Sequence, residues 1–155
     1  MIVHRKIILK SFLTASLCVI IDQLSKNFIK NNIFGINSGV KIFDGFNIVY
    51  VENKGVSFGI LAEYSITFFL GVLSILISAY IIFLILKSKD SIERQSLALI
   101  LGGALGNGFD RIMYGYVVDF IDIYYHDYHW PAFNFADSFI TIGAVIFFFK
   151  ILKNN

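Results

Sequence analysis

The chain has 155 residues, of which 57% are hydrophobic and only 15% are charged, with a formal net charge of +2. Soluble domains are about 45–50% apolar and about 25% charged, so this composition excludes an ordinary soluble domain, and it also excludes a disordered chain. The small net charge does not indicate a nucleic-acid partner, and the single cysteine excludes an intrachain disulfide and a cysteine-based zinc site.

Four apolar stretches predict membrane-spanning helices, since about 20 apolar residues of helix are needed to cross the hydrocarbon core. The predicted spans of this single integral membrane domain, residues 1–155, are residues 7–27, 65–87, 95–113 and 133–152. No small-residue cleavage site follows the first stretch, so we interpret it as an uncleaved helix rather than a secretory signal. The third stretch is shorter and rich in glycine.

Basic residues near the ends of these spans predict the orientation of the chain. Most of them fall on one side of the membrane, namely Arg5, Lys6, Lys10, Lys87, Lys89, Arg94, Lys150 and Lys153. The positive-inside rule therefore predicts that both termini and the loop at residues 87–94 are cytoplasmic. The long segments 27–64 and 113–132 are predicted to face outward.

The two outer segments are predicted to carry structure of their own. Residues 46–51 are apolar and β-branched and are flanked by turn residues, which predicts a short strand that can belong to a small sheet. The second segment is dense in aromatic residues, which is typical of the headgroup level of a membrane. It fits either an anchoring belt or a platform that holds an amphipathic substrate. We interpret His126 and His129 in this segment as interfacial rather than catalytic.

Ionisable side chains at membrane depth are costly, so each of them is a functional hypothesis. Asp22 and Lys26 lie four residues apart on the first helix and can pair, as part of a site or as a self-neutralised structural pair. The third helix carries three polar side chains on one face, which are Asn107, Asp110 and Arg111. A functional role and a structural Asp–Arg pair are both open here. The spacing of Gly102 and Gly106 permits a close approach to a neighbouring helix.

Two carboxylates lie near the outer ends of the third and fourth helices, which are predicted to be antiparallel neighbours. Asp119 and Asp137 can therefore converge at one depth, with Asn134 three residues before Asp137. Asp137 alone also fits a first-turn acid that favours the helix dipole. Two close carboxylates share a proton, which is the machinery of aspartic proteolysis. This chemistry needs neither a metal nor a covalent intermediate, and the chain has no HExxH zinc motif and no GxSxG serine motif, so we expect no metal and no other cofactor.

Five separated motifs together resemble those of the lipoprotein signal peptidase family, also called signal peptidase II. In chain order they are DQLSK at residues 22–26, NKGVSFG at 53–59, GGALGNGFDR at 102–111, GYVVDFID at 115–122 and WPAFNFAD at 130–137. Each motif alone is a weak signal. Together, on a chain with four predicted spans, they make the resemblance specific over essentially the whole length.

The resemblance implies an all-α membrane fold of four transmembrane helices, with a small extracytoplasmic β-sheet cradle and a short periplasmic helical element over the active site. It implies an aspartic endopeptidase of the bacterial inner membrane whose active site lies near the outer face. The implied substrates are prolipoproteins whose cysteine already carries a diacylglyceryl group, and cleavage falls just before that cysteine. The cyclic peptide globomycin is the inhibitor that the resemblance implies.

The resemblance also assigns roles to residues. The implied catalytic pair is Asp119 and Asp137. The implied supporting and substrate-binding residues are Asp22, Lys26, Asn53, Asn107, Asp110, Arg111 and Asn134. The chain departs from the family pattern at Ser57, where alanine is usual, and at Gly108, where a larger apolar residue is usual. Glycine lowers helix stability by up to about 1 kcal/mol, so we expect Gly108 to loosen that end of the helix.

The residues alone leave two other classes of protein open. A small ion- or proton-coupled transporter can use intramembrane Asp, Lys and Arg as a relay, although the acids here gather at one face of the membrane. A hydrolase of phosphorylated lipid headgroups needs several converging basic residues, whereas Arg111 stands among acids. Nothing in the sequence demands a protein partner, so we expect a monomer that contacts membrane lipid and its substrates.

Overall fold

A computed structural model describes residues 2–35, 39–55 and 66–154 of the chain. The described residues form four long helices, namely α1 (Ile2–Asn32), α2 (Thr67–Lys87), α3 (Ser91–Met113) and α4 (Phe135–Asn154). They also form four strands, namely β1 (Val40–Phe43), β2 (Phe46–Asn53), β3 (Val117–Tyr125) and β4 (Tyr128–His129). The strand predicted at residues 46–51 is confirmed, since it lies within β2. The chain is mostly helical and carries one small sheet.

Three segments are long and apolar enough to cross a membrane, and they are Ile7–Asn32, Thr67–Lys87 and Phe135–Lys153. These segments lie in α1, α2 and α4. The remaining helix, α3, packs against all three of the others. A helix surrounded by protein presents little surface to lipid, so it can carry polar side chains that an outer helix cannot. The helices of the predicted spans are therefore present, while the count of four spans stays a prediction.

Small residues let the helices approach α3 closely, as the glycine spacing predicted. A Cβ on Gly102 would lie 2.5 Å from the Cβ of Cys18, and a Cβ on Gly106 would lie 2.6 Å from Oδ2 of Asp22, so both glycines face α1. Gly108 faces α2, where its Cβ would lie 3.0 Å from Ser74. This glycine lies within a continuous helix that ends at Met113, and its small size accommodates α2 there.

The helix ends opposite the sheet are held by a buried core and by polar contacts. Ile85, Leu97 and Leu101 are almost completely buried in this core. The carboxylate of Asp90 caps α3 by accepting from two backbone N–H groups of its first turn, and it pairs with Lys150 of α4 at 2.7 Å. The start of α3 therefore lies beside the end of α4, so these two helices are antiparallel neighbours, as the sequence predicted.

The four strands form an antiparallel sheet in the order β1-β2-β3-β4 at the opposite end of the helices. Val118 and Phe120 of β3 pack with Ile29 near the end of α1, which docks the sheet onto the bundle. Phe133 then forms an isolated bridge to Ile121, which brings the start of α4 back to β3. In the described ranges, no short helix accompanies the sheet. Residues 36–38 and 56–65 lie outside those ranges, so the implied short helical element stays a prediction.

Candidate functional site

Asp119 is placed by the alternation of side chains along β3. Its neighbours Val118 and Phe120 pack toward α1, whereas Asp119 and Val117 line a cavity on the other face of the strand. The strand pairs Asp119 with Val51 of β2, so its backbone is held on the sheet side. Only 3% of the Asp119 surface is exposed.

Asp137 is placed by the first turn of α4. The side-chain Oδ1 of Asn134 accepts from the backbone N–H of Asp137 at 3.0 Å. In return, Oδ2 of Asp137 accepts from the backbone N–H of Asn134 at 3.2 Å. This reciprocal pair is a capping box with aspartate in the position that usually holds Glu or Gln. The helix start therefore fixes both the backbone and the carboxylate of Asp137.

Both aspartates line one cavity of about 390 Å³, Asp119 from β3 and Asp137 from the first turn of α4, so their predicted convergence is confirmed. The same cavity is lined by Asn53, Asn107 and Arg111. It continues along α4 past Thr141 to Ile142, whose surface is 50% exposed. The cavity thus joins a polar end at the two carboxylates to a face of α4 that a membrane would cover.

Three asparagine side chains donate hydrogen bonds to the two carboxylates. Asn53 Nδ2 lies 2.9 Å from Oδ2 of Asp119, and Asn134 Nδ2 lies 2.6 Å from its Oδ1. Asn107 Nδ2 lies 2.8 Å from Oδ1 of Asp137. Each carboxylate is therefore held by donors, which favours one fixed orientation for each of them.

The pKa of Asp119 is raised to about 6, mainly by burial and next by the negative charge of Asp137. The hydrogen bonds from Asn53 and Asn134 oppose the shift, because they stabilise the charged form. A carboxyl group with this pKa retains a proton in mildly acidic solution. The arrangement can therefore supply one acid and one base to the same reacting group.

A buried ion cluster lies directly behind this pair. Lys26 Nζ donates to Oδ2 of Asp22 and to Oδ2 of Asp110, each at 2.7 Å, and to Oδ1 of Asn107 at 2.8 Å. The predicted pair of Asp22 and Lys26 is present, and Asp110 joins it from α3. The cluster reaches the cavity through Asn107, whose other amide atom contacts Asp137.

Gln23 also belongs to this cluster, although the sequence analysis assigned it no role. Its Nε2 donates to Oδ1 of Asp110 at 2.9 Å and lies 3.3 Å from Oδ2 of Asp22. The signal was available in the sequence, because Gln23 lies three residues before Lys26 and therefore shares its face of α1.

Arg111 lines the cavity from the end of α3. Its guanidinium donates to the backbone carbonyls of Gly55 at 3.1 Å and of Asn107 at 3.4 Å. Asp110, its neighbour in sequence, instead pairs with Lys26. Arg111 therefore connects the end of β2 to α3 and leaves its positive charge at the wall of the cavity.

His129 contacts an acid outside the aspartate pair. His129 Nδ1 lies 2.8 Å from Oδ1 of Asp122, which also accepts on Oδ2 from Asn47. Neither His129 nor Asp122 lines the cavity of the aspartate pair. Among the residues that the structure describes, no group of three or more His, Cys, Asp or Glu could hold a metal ion. Ser57 lies outside the described residues.

Comparison with known proteins gives matches over nearly the whole chain. Residues 14–153 match the family described as signal peptidase (SPase) II. The lipoprotein signal peptidase of Thermodesulfovibrio yellowstonii is 38% identical over 144 residues, covering 93% of this chain and 95% of the relative. That of Syntrophus aciditrophicus is 36% identical over 157 residues, covering 97% of each.

A solved structure also resembles this fold. It is described as a bacterial membrane enzyme solved by the in meso method at 2.3 Å resolution. The two structures superpose with a TM-score of 0.83 at 32% identity, covering 94% of this chain and 88% of the solved one. None of these matches supports a transporter.

Proposed function

The chain belongs to the signal peptidase II family, and we propose that it removes the signal peptide from prolipoproteins as a lipoprotein signal peptidase. The observation that carries this proposal is the single cavity lined by both Asp119 and Asp137 in a chain that matches the family over residues 14–153. A peptidase needs a base for water and an acid for the leaving group, and this pair can supply both.

We assign the hydrolysis to an aspartic mechanism. Asp119 and Asp137 share one proton, because two close carboxylates do not both ionise easily. The ionised partner takes a proton from a water molecule, whose oxygen attacks the scissile carbonyl carbon. The protonated partner polarises the carbonyl oxygen and later protonates the leaving amine, which breaks the peptide bond. The asparagine donors keep both carboxylates in place through this exchange.

The substrates in this proposal are prolipoproteins that carry a diacylglyceryl group on the cysteine, and cleavage falls just before that cysteine. The cavity supports this, because it runs from the two carboxylates to the exposed Ile142 on α4. A peptide can then reach the polar end while its acyl chains stay in lipid. Keeping those chains buried contributes about 0.8 kcal/mol per CH₂ to membrane anchoring, which holds lipidated substrate in the bilayer that contains the enzyme.

The proposed topology is one domain, residues 1–155, with four spans in the bacterial inner membrane. We assign α3 as the fourth span, because its 23 residues extend about 35 Å at 1.5 Å per residue, against a hydrocarbon core of about 30 Å. Both termini then face the cytoplasm, as the positive-inside rule predicts, and the sheet and the aspartate pair lie at the outer face. The enzyme acts as a monomer in contact with lipid.

The test is cleavage of a diacylglyceryl-modified prolipoprotein by the purified full chain in liposomes. We expect cleavage just before the lipidated cysteine, with inhibition by globomycin. Asp119→Asn and Asp137→Asn should each lower turnover by at least about 10²- to 10⁴-fold, which is the contribution of general acid–base catalysis. Asp127→Asn is the matched control, since Asp127 lies on the same side but outside the cavity. We expect it to keep full turnover.

The proposal fails if the folded, unchanged chain does not cleave this substrate. It also fails in its catalytic assignment if either aspartate variant retains substantial activity. Equal cleavage of substrate with and without the diacylglyceryl group would contradict the role assigned to lipid.

A further inference from the structure

The buried ion cluster behind the aspartate pair does more than neutralise charge. A buried ion pair is weak evidence for stability, because taking the charges out of water offsets most of the attraction between them. Lys26 nevertheless has less than a tenth of its surface exposed and places its three N–H groups on three acceptors, which are Asp22, Asp110 and Asn107. Two of these acceptors are carboxylates, and the third is a neutral amide that lies between the cluster and Asp137.

Two donors hold the oxygen of the Asn107 amide, and Lys26 is the shorter and charged one. Lys26 Nζ lies 2.8 Å from Oδ1 of Asn107, whereas Asn134 Nδ2 lies 3.3 Å from it and donates to Asp119 at 2.6 Å. An ammonium group has donors and no acceptor, so only the oxygen of the amide can face it. Oδ1 of Asn107 therefore lies at Lys26, and Nδ2 is turned to Oδ1 of Asp137 at 2.8 Å. Without Lys26 only the longer contact from Asn134 opposes rotation of the amide, which would present its oxygen to the carboxylate.

The other two asparagines are fixed by backbone donors instead. Oδ1 of Asn53 accepts from the N–H of Gly55, and Oδ1 of Asn134 accepts from the N–H of Asp137. Their amide nitrogens are consequently turned to Asp119. Among the three asparagines, only Asn107 has its amide oxygen held by side chains, so a substitution can remove the main contact that orients it.

We propose that Lys26 is a positioning residue for the aspartate pair, which acts by holding the oxygen of Asn107 so that the amide nitrogen is presented to Asp137. This inference rests on the proposed function of the site. Lys26 does not line the cavity, so it acts on the reaction through Asn107 and does not contact the substrate.

The test is a double-mutant cycle on kcat with the lipidated prolipoprotein. We expect Lys26→Met to lower kcat by about 10- to 100-fold, as a misplaced catalytic group does, with little change in KM. In an Asn107→Ala background the same substitution should change kcat by no more than about twofold, because no amide remains to be oriented. An equal loss in both backgrounds would overturn the proposal, since Lys26 would then act by charge or through the fold alone.

Arg94→Met is the matched control for losing a buried cation from the helix bundle. Arg94 is fully buried near the start of α3, about 20 Å from Asn107 at 1.5 Å per residue. We expect this variant to unfold more easily and to keep the kcat of the unchanged chain per folded molecule. A fall in kcat equal to that of Lys26→Met would also overturn the proposal.

A second variant covers the case in which Lys26→Met does not fold. Asn107→Asp keeps an oxygen for Lys26 but presents oxygen instead of N–H to Asp137. We expect kcat to fall at least as far as in Asn107→Ala, and full activity would overturn the proposal. Failure of the proposed function gives a different result, because the unchanged chain would then cleave nothing.

Discussion

Asp22 in the first helix caps the fourth helix. Its Oδ1 accepts from the backbone N–H of Ala136 at 3.0 Å, while its Oδ2 holds Lys26 at 2.7 Å. Ala136 lies in the first turn of α4, where backbone N–H groups have no partner within the helix. A fully buried carboxylate from α1 therefore completes the turn that carries Asp137.

Replacing Asp22 separates these two contacts. Asp22→Asn keeps an oxygen for the N–H of Ala136 and removes the charge opposite Lys26, whereas Asp22→Ala removes both. Asp110 still pairs with Lys26, so the loss is that of one charged hydrogen bond, about 1.5–3 kcal/mol, and losing a helix cap costs about 1 kcal/mol more. We expect both variants to be destabilised in detergent. The free energy of unfolding of Asp22→Ala should be lower than that of Asp22→Asn by about 1 kcal/mol, because only Asp22→Ala also loses the cap. Equal stability of the two would show that the cap contributes nothing.

Stability should depend on pH through Asp119. Burial raises the pKa of Asp119 to about 6, from its ordinary 3.8 in the unfolded chain. The folded state therefore binds this proton more tightly, and the stability so gained is present at low pH and lost as pH rises through about 6. Each pKa unit corresponds to about 1.4 kcal/mol, so we expect a loss of about 3 kcal/mol between about pH 4 and pH 7.

Asp119→Asn has no such proton to lose. The free energy of unfolding of Asp119→Asn should therefore increase relative to that of the unchanged chain as pH rises from about 4 to about 7. Asp127→Asn serves as the control and should run parallel to the unchanged chain. Parallel curves for Asp119→Asn as well would contradict the raised pKa.

A methyl group at Gly106 should damage the site as well as the fold. It would lie 2.6 Å from Oδ2 of Asp22, so the carboxylate must shift. Gly143→Ala is the matched control, because its Cβ would meet the backbone oxygen of Ser96 at 2.6 Å and Gly143 does not line the cavity. Overpacking costs about 1–3 kcal/mol, so we expect both variants to lose stability. Only Gly106→Ala should lose turnover per folded molecule, and equal turnover in the two would refute this.

His129 should be dispensable for turnover. It bonds Asp122 and stacks on Tyr124 with ring centroids 4.9 Å apart, outside the cavity. His129→Phe keeps a ring on Tyr124 and removes one hydrogen bond, which costs about 1 kcal/mol. We expect turnover per folded molecule to match the unchanged chain. A large fall in kcat at unchanged stability would give this histidine a part in the chemistry.

The sequence best predicted the features that depend on a single helix or strand. The apolar stretches predicted the helices, and the β-branched run at residues 46–51 predicted β2. The spacing of Asp22 and Lys26 predicted their pair, because residues four apart on a helix are neighbours. The antiparallel arrangement of α3 and α4 predicted that Asp119 and Asp137 meet, which the shared cavity confirms.

Contacts between helices were harder to predict. The sequence placed Asn107, Asp110 and Arg111 on one face but left their partners open. Asp110 turned out to join Lys26, since the rotation of α3 against α1 determines which side chains meet. The spacing of Gln23 to Lys26 indicated its face of α1, but not its partner Asp110, which lies 87 residues away in sequence. The structural role of Gly108 depends on Ser74 of α2, which no local pattern indicates.

The hydrogen bond from Ala136 to Asp22 joins positions separated by 114 residues, so it links the first helix to be synthesised with the last. Chains emerge from the ribosome with the N-terminal part first, and α1, α2 and α3 therefore reach the membrane before α4 does. During that interval the ion cluster has no fourth helix to cap, and Asp137 has not yet joined Asp119. A nascent chain is thus inactive in the proposed cleavage until α4 has inserted and Asp137 lies beside Asp119.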